Sequence, residues 1–262
     1  MRSILKRLCF IALLSYIPVQ TMAWGMQGHR IVGEIADSYI NQKTRKEIQK
    51  ILGHESMAIT SNWADFIKSD PEYNYLSTWH YANFADYLDY QALKTQMDQD
   101  TTVNIYNRIQ FLTAQLKNKN LESGKKQMYL RLMIHLVGDL HQPMHMGRKE
   151  DSGGNGIKIF WFNQPTNLHR LWDEQLIESQ QLSYTEYTKS INFATQAQIK
   201  KWQSDNLSVW AFESYEISRQ LYTVKPEEKL SYRYIFDHIA TVNDRLLKGG
   251  VRLAGLLNQI FS

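Results

Sequence analysis

The sequence predicts an all-α, mainly helical fold with at most a small β-hairpin near residues 156–162. Three observations lead there. Apolar residues recur at helical spacing over long stretches, which marks buried helix faces. Only five of the 262 residues are proline. Strand signals are scarce, and no repeat, linker or low-complexity tract divides the chain.

The elements follow in order. Arg2, Lys6 and Arg7 open the chain, Leu8 to Ile17 form an apolar run of ten residues, and small Thr21 and Ala23 stand where a signal peptidase reads. This is the layout of a secretory signal peptide. The run is too short to span a bilayer, which takes roughly 20 residues, although a short membrane anchor is the alternative. The predicted organisation is a signal peptide over 1–23, cleaved after Ala23, and a single domain over 24–262, secreted or periplasmic. Ile31, Ile35 and Ala36 begin the first helical pattern, and Met128 to Leu140 carry a strongly apolar one. The best strand is "GIKIFWF" at 156–162, beside the loop "SGGNG". Ile235, Ile239, Val242, Leu246, Leu253, Leu257 and Ile260 mark one face of a last helix, where Gly249 and Gly250 predict a bend.

Composition narrows the chemistry. Cleavage leaves 239 residues, and removing the three basic residues of the leader from the chain's 30 leaves 27 against 26 acidic ones, a net charge of +1. No global positive field supports tight duplex binding, so an anionic substrate must be held locally. The only cysteine, Cys9, lies in the leader. Thiolate metal sites and disulfides are therefore excluded from the mature chain, and a metal would be held by His, Asp and backbone groups.

Such residues cluster in "HLVGDLHQPMH" at 135–145. His135 and Asp139, four apart, share a helix face. His169 and Asp173 repeat that spacing in "NLHRLWD", and His145 follows Pro143 just past the helix end. Imidazole and carboxylate groups so arranged suit zinc, although one His-x-x-x-Asp pair alone is equally a satisfied core pair. "SNWADF" places Asp65, and "STWHYAN" places His80, among aromatic residues, where packing is the ordinary reason. The predicted mature terminus "WGMQGHR" offers the amino nitrogen and carbonyl of Trp24 as a chelate, with His29 close behind. His141 is off the ligand face and is expected either to support the ligands from behind or to belong to the core, and His54 and His238, outside every motif, are expected to be structural.

Taken together and in this order, "WG..GH", "NWAD", "WHYAN", "HLVGDLHQPMH", "GGN" and "NLHRLWD" resemble the zinc-dependent single-strand-specific nucleases, which include bifunctional nuclease/3′-nucleotidase enzymes of fungi and plants and bacterial relatives. "VWAFES" and "GGVRLAGLLN" extend the resemblance through the C-terminal half. It implies a mainly helical fold with three zinc ions in a cleft. Asp65, His80, His135 and Asp139 would hold the first, His145, His169 and Asp173 the second, and Trp24, His29 and Asp139 the third. Asp65, Asp139 and Lys68 would be catalytic, with Lys68 facing the scissile phosphate. Lys68, Tyr81, Asn83 and Asn155 would bind substrate, the last three around the nucleobase. Asn83 stands where the fungal members carry an aspartate, so the resemblance does not carry their base preference over to this chain. The resemblance implies a monomeric enzyme hydrolysing single-stranded RNA and DNA to 5′-phosphate products, with 3′-nucleotidase activity and no membrane association after cleavage. A zinc-dependent phospholipase C, a more distant resemblance, and a secreted zinc-binding protein without turnover are the alternatives.

Overall fold

The computed structural model describes residues 24–261. The signal-peptide expectation for 1–23 lies outside them. As predicted, the described chain is mainly helical. The helices are α1 (Met26–Tyr39), α2 (Gln42–Leu52), the single turns α3 (Met57–Thr60) and α4 (Trp63–Phe66), α5 (Tyr90–Gln99), α6 (Ile105–Lys117), α7 (Ser123–His141), the turns α8 (Leu168–Arg170) and α9 (Leu176–Glu178), α10 (Tyr184–Ile191), α11 (Gln196–Ser204), α12 (Leu207–Leu221) and α13 (Tyr232–Phe261). A 3₁₀ helix covers Pro71–His80, another covers Pro143–Met146, and a π-helical turn covers Leu171–Gln175.

α7 is the axis of the fold. Every residue from Leu132 to His141 is buried, so its apolar surface runs all round, as expected of a central helix. α6, α12 and α13 pack on it, with α1 and the α4 turn completing the shell around its C-terminal half. Local chemistry sets the ends of the surrounding helices. The Asn41 side chain accepts from the Thr44 N–H at the start of α2, and Asn104, Ser183 and Thr195 each form a capping box.

α13 passes through Gly249 and Gly250 as one helix, from Tyr232 to Phe261. A Cβ at Gly250 would stand 2.4 Å from Ile35 Cγ2 and 3.0 Å from the Val32 carbonyl oxygen. The glycine exists for the close approach of α13 to α1, and that packing outweighs a helix-propensity cost of about 1 kcal/mol.

The expected hairpin is present. β1 (Lys158–Trp161) pairs antiparallel with β2 (Gln164–Asn167) through a two-residue turn in which Phe162 and Asn163 have φ of 47° and 64°. Positive φ at both positions is the mark of a type I′ connection. The sequence did not reveal β3 (Lys229–Leu230), a two-residue strand parallel to β1. Buried apolar side chains form one continuous cluster, and among the described residues no helix is long and apolar enough to cross a membrane.

Candidate metal centre

The C-terminal half of α7 points His135 and Asp139 to one side, one turn apart and fully buried. The helix stops at His141 because Gln142, before Pro143, adopts an extended backbone. The Pro143–Met146 turn then carries His145 back toward Asp139. His169 sits in α8, whose start is fixed by the Asn167 side chain accepting from the Arg170 N–H at 2.8 Å. Asp173 follows in the π-helical turn, a geometry often found at functional sites. α1 brings His29, α4 brings Asp65, and the Pro71–His80 helix ends on His80.

These side chains converge. Asp139 is the hub: its Oδ1 lies 3.2 Å from His29 Nε2 and 3.9 Å from His145 Nδ1, and its Oδ2 lies 2.9 Å from His80 Nδ1 and 3.1 Å from His135 Nε2. Among the described residues three sets of possible metal donors arise, His80–His135–Asp139, His29–Asp65–His135 and His145–His169–Asp173. The last matches the expected second set. The first lacks Asp65, whose Oδ1 is 3.7 Å from His135 Nε2 and which groups with His29 instead. The imidazoles of His29 and His135 stack at 3.8 Å. The Trp24 indole is buried and donates from Nε1 to the Gly138 carbonyl at 2.7 Å, which ties the segment before α1 to α7. Whether its α-amino group is free depends on cleavage after Ala23, outside the described residues.

The backbone decides which nitrogens are offered. His135, His145 and His169 donate from Nδ1 to the carbonyl oxygens of Ser61, His80 and Gly153, at 2.6, 2.6 and 2.7 Å. A carbonyl can only accept, so each Nδ1 carries the proton and, in the neutral ring, each Nε2 presents a lone pair. Those lone pairs face carboxylates. His135 Nε2 is 3.1 Å from Asp139 Oδ2, His169 Nε2 is 3.1 Å from Asp173 Oδ2, and His145 Nε2 is 3.5 Å from Asp173 Oδ1. Acceptor against acceptor at such distances calls for positive charge between them.

The ionisation tendencies express the same demand. Burial opposes charge on His145, yet Asp139 and Asp173 lift its pKa to about 9. Burial disfavours the Asp65 carboxylate, but His135 and Lys68 hold its pKa down to about 2. Asp139 and Asp173 are likewise held below the ordinary carboxylate range by their histidine neighbours against the effect of burial. Burial dominates at His80, which falls to about 4, and at His29, which is also lowered. His29 Nε2, His80 Nε2, His145 Nε2 and Asp139 Oδ1 are buried without a hydrogen-bond partner among the described residues. Each unsatisfied buried polar atom costs about 1–3 kcal/mol. Four in one place, in a nitrogen- and oxygen-only donor set, fit divalent cations of the zinc type.

A cleft of about 310 Å³ opens beside these groups and is lined by Lys68, Tyr81, Asn83 and Asn155 together with His80, His145 and His169. All four expected substrate-binding residues therefore face one cavity. Lys68 Nζ lies 2.7 Å from Asp65 Oδ1, Tyr81 is 41% exposed, and Asn83 Oδ1 is buried without a partner. Asn155 Nδ2 donates to the Ser152 carbonyl at 2.8 Å. Gly153, at φ 65°, is needed here, since a Cβ would stand 2.5 Å from the Met144 carbonyl oxygen.

Sequence reasoning missed Gln142, fully buried, whose Nε2 donates to Asp173 Oδ1 and whose Oε1 accepts from the Met144 N–H at 2.5 Å. It stands in the quoted stretch but is not a metal ligand type. It also missed the carbonyl acceptors, which have no side-chain signature. His141 is a core residue as expected, donating from Nδ1 to the Val137 carbonyl at 2.8 Å and lying 3.2 Å from Arg252 Nη1. His54 is exposed, and His238 packs on Trp172 and Tyr234.

Comparison with known proteins identifies the family. A family model described as S1/P1 Nuclease matches residues 24–262. The chain is 31% identical to Endonuclease 3 of Arabidopsis thaliana over 96% of its length and 94% of the relative's. It is 32% identical to Nuclease S1 of Aspergillus oryzae over 60% of its length and 56% of that protein's. It is 26% identical to Nuclease P1 of Penicillium citrinum, covering 90% of this chain and 97% of the relative. With a match over nearly the whole chain and a donor set suited to divalent metal, this protein belongs to the S1/P1 nuclease family.

Proposed function

We propose that this chain is a secreted, trinuclear-zinc phosphodiesterase that hydrolyses single-stranded RNA and DNA to 5′-phosphate products and also removes phosphate from 3′-nucleotides. The observation that carries this reading is the sharing of Asp139 among buried histidines beside a cleft that holds a lysine, an aromatic face and two amides. The proposed holders of zinc are Asp65, His80, His135 and Asp139 for one ion, and His145, His169 and Asp173 for a second. Trp24, through its freed amino nitrogen and carbonyl, would hold a third with His29 and Asp139.

When bound, zinc supplies Lewis acidity, which acidifies water near neutral pH and neutralises charge on a phosphate. The remaining work falls to side chains of this protein. Lys68, drawn toward the centre by Asp65, adds positive charge where the phosphoryl oxygens gather negative charge in the transition state. Tyr81 presents an exposed ring on which a base of any identity can stack, worth about 1–3 kcal/mol. Asn83 lines the cleft and offers its amide to a base edge, and Asn155 supplies a second amide. A paired base must first unstack, at a cost of a few kcal/mol, so the stacking gain is kept only by single strands.

The test uses protein beginning at Trp24. Three zinc ions per chain, rapid cleavage of single-stranded RNA and DNA, and release of phosphate from a 3′-nucleoside monophosphate are expected. Tyr81→Ala should lower single-strand cleavage while leaving zinc content intact. Equal rates on single strands and duplex at matched salt, or turnover of phosphatidylcholine in place of nucleic acid, would reject this reading.

A further inference from the structure

A second cavity, about 740 Å³, lies beside the cleft at the metal centre, and the two share Tyr81 and Asn83 in their walls. The shared wall has a simple origin. Tyr81 is extended, at φ −148° and ψ 166°, and the segment is hydrogen-bonded to the end of the Pro143–Met146 turn and the residue that follows it, Ala82 N–H to the His145 carbonyl at 2.9 Å and Phe84 N–H to the Gly147 carbonyl at 3.0 Å. In extended chain, alternate residues face the same way. Ala82 and Phe84 are therefore buried together, and Tyr81 and Asn83 project together between the two spaces.

The second cavity has its own chemistry. Gln96 and Gln99, both exposed on α5, project their amides with no side-chain hydrogen bond among the described residues. Val103 offers an apolar ledge that is 44% exposed, and Lys149 offers an ammonium group with no ion pair among the described residues. Asp100, also in the wall, is internally satisfied by the Thr102 N–H and hydroxyl and by Asn104 Nδ2. Amides with free donors and acceptors beside an apolar ledge suit the edge and face of a base, and the lysine suits a phosphate.

We infer that this groove, across Tyr81 from the metal centre, is a second nucleotide subsite that holds the nucleotide on the 5′ side of the one in the cleft. It deepens the single-strand reading above and rests on it. The direction follows from connectivity. The nucleotide in the cleft presents its 3′ phosphate to the metal centre, so the strand leaves across Tyr81 through its 5′ oxygen. Tyr81 then stands between two consecutive bases as a wedge, so the protein holds its substrate already unstacked at one step. Gln96 and Gln99 read the second base through one hydrogen bond each, a tolerant contact that sets preference without strict sequence specificity.

The experiment compares a dinucleoside monophosphate, whose single linkage has no nucleotide on the 5′ side of the one in the cleft, with a single-stranded tetranucleotide of the same base, cleavage being followed at its two linkages that have such a neighbour. In Gln96→Ala/Gln99→Ala the ratio of kcat/KM, tetranucleotide over dinucleoside monophosphate, should fall about tenfold, the loss expected of two ordinary hydrogen bonds. Lys149→Glu should lower the same ratio and flatten its dependence on salt. An unchanged ratio in both variants, or an equal loss on both substrates, would overturn the subsite while wild-type cleavage of the tetranucleotide upheld the single-strand reading. A wild-type protein that cleaves neither substrate would remove that reading, and the subsite with it.

Discussion

Gln142 and Asp173 are joined by a hydrogen bond from the amide Nε2 to carboxylate Oδ1, both residues being buried at the end of α7 and in the π-helical turn. The same amide accepts from the Met144 N–H, so one side chain orients a proposed ligand and braces the turn that carries His145. Neighbours that orient ligands in this way are typically worth 10–100-fold in metal affinity, roughly the loss expected for Gln142→Leu. Competition with a chromogenic chelator measures it. Unaltered zinc affinity in a folded variant would show that Asp173 is held without this amide.

Lys68 is expected to act on the substrate rather than on the metal. Lys68→Met should lower kcat/KM by roughly 10²–10³, the usual effect of deleting a group that stabilises transition-state charge, while zinc content stays at the wild-type level. Lys68→Arg should recover part of the loss. If Lys68→Met changes zinc content as much as activity, the lysine serves mainly to balance Asp65, 2.7 Å away.

The amino terminus supplies another test. A protein retaining Met22 and Ala23 ahead of Trp24 has an amide where the proposed chelate needs an amine. Loss of one cation at the phosphate should cost on the order of a hundredfold in rate, with one zinc fewer per chain. A folded, fully active extended protein would exclude Trp24 as a ligand.

Behind α7, Glu213 links two fully buried arginines. Its Oε2 accepts from Arg245 Nη1 at 2.6 Å and from Arg252 Nη1 at 2.7 Å. Burial works against the carboxylate, but Arg252 and Arg245 hold its pKa down to about 2. A depressed folded-state pKa means stability that is complete above the ordinary value near 4.5 and is lost as pH falls through about 2. Glu213→Gln leaves Arg245 without a carboxylate partner and Arg252 with Asp205 alone, and should cost about 3–5 kcal/mol at pH 7. The gap in melting temperature between the two proteins, measured with chelator present in both, should narrow steadily below pH 4.5. A gap independent of pH would mean that Glu213 contributes shape and not charge.

Much of this was legible in the sequence, for identifiable reasons. α7 and α13 could be read because apolar periodicity survives into the folded state, and His135–Asp139 and His169–Asp173 because four-residue spacing puts two side chains on one face. Asp65 and His80 carry no such spacing, and only the order of motifs in the resemblance brought them in. The role of Gly250 was hidden because local propensity says nothing of Ile35, across the interface, whose side chain would occupy the place of a Cβ. β3 is two residues long, too short for any period to show. Gln142 was invisible as a functional residue because its role is defined by Asp173, which is brought to it by folding.

The uneven spacing of the donors along the chain governs the order in which the centre can be built. His145, His169 and Asp173 lie within one short stretch, whereas the groups around Asp139 reach back to Asp65 and His29. Closing a longer loop costs more entropy and delays the contact. On the proposed ligand sets, the stretch from His145 to Asp173 captures its cation first, and the ion that needs His29 waits until α1 has docked under α13. Assembly is then sequential by topology, and where zinc is scarce a form holding one ion of the three, folded yet idle, would accumulate.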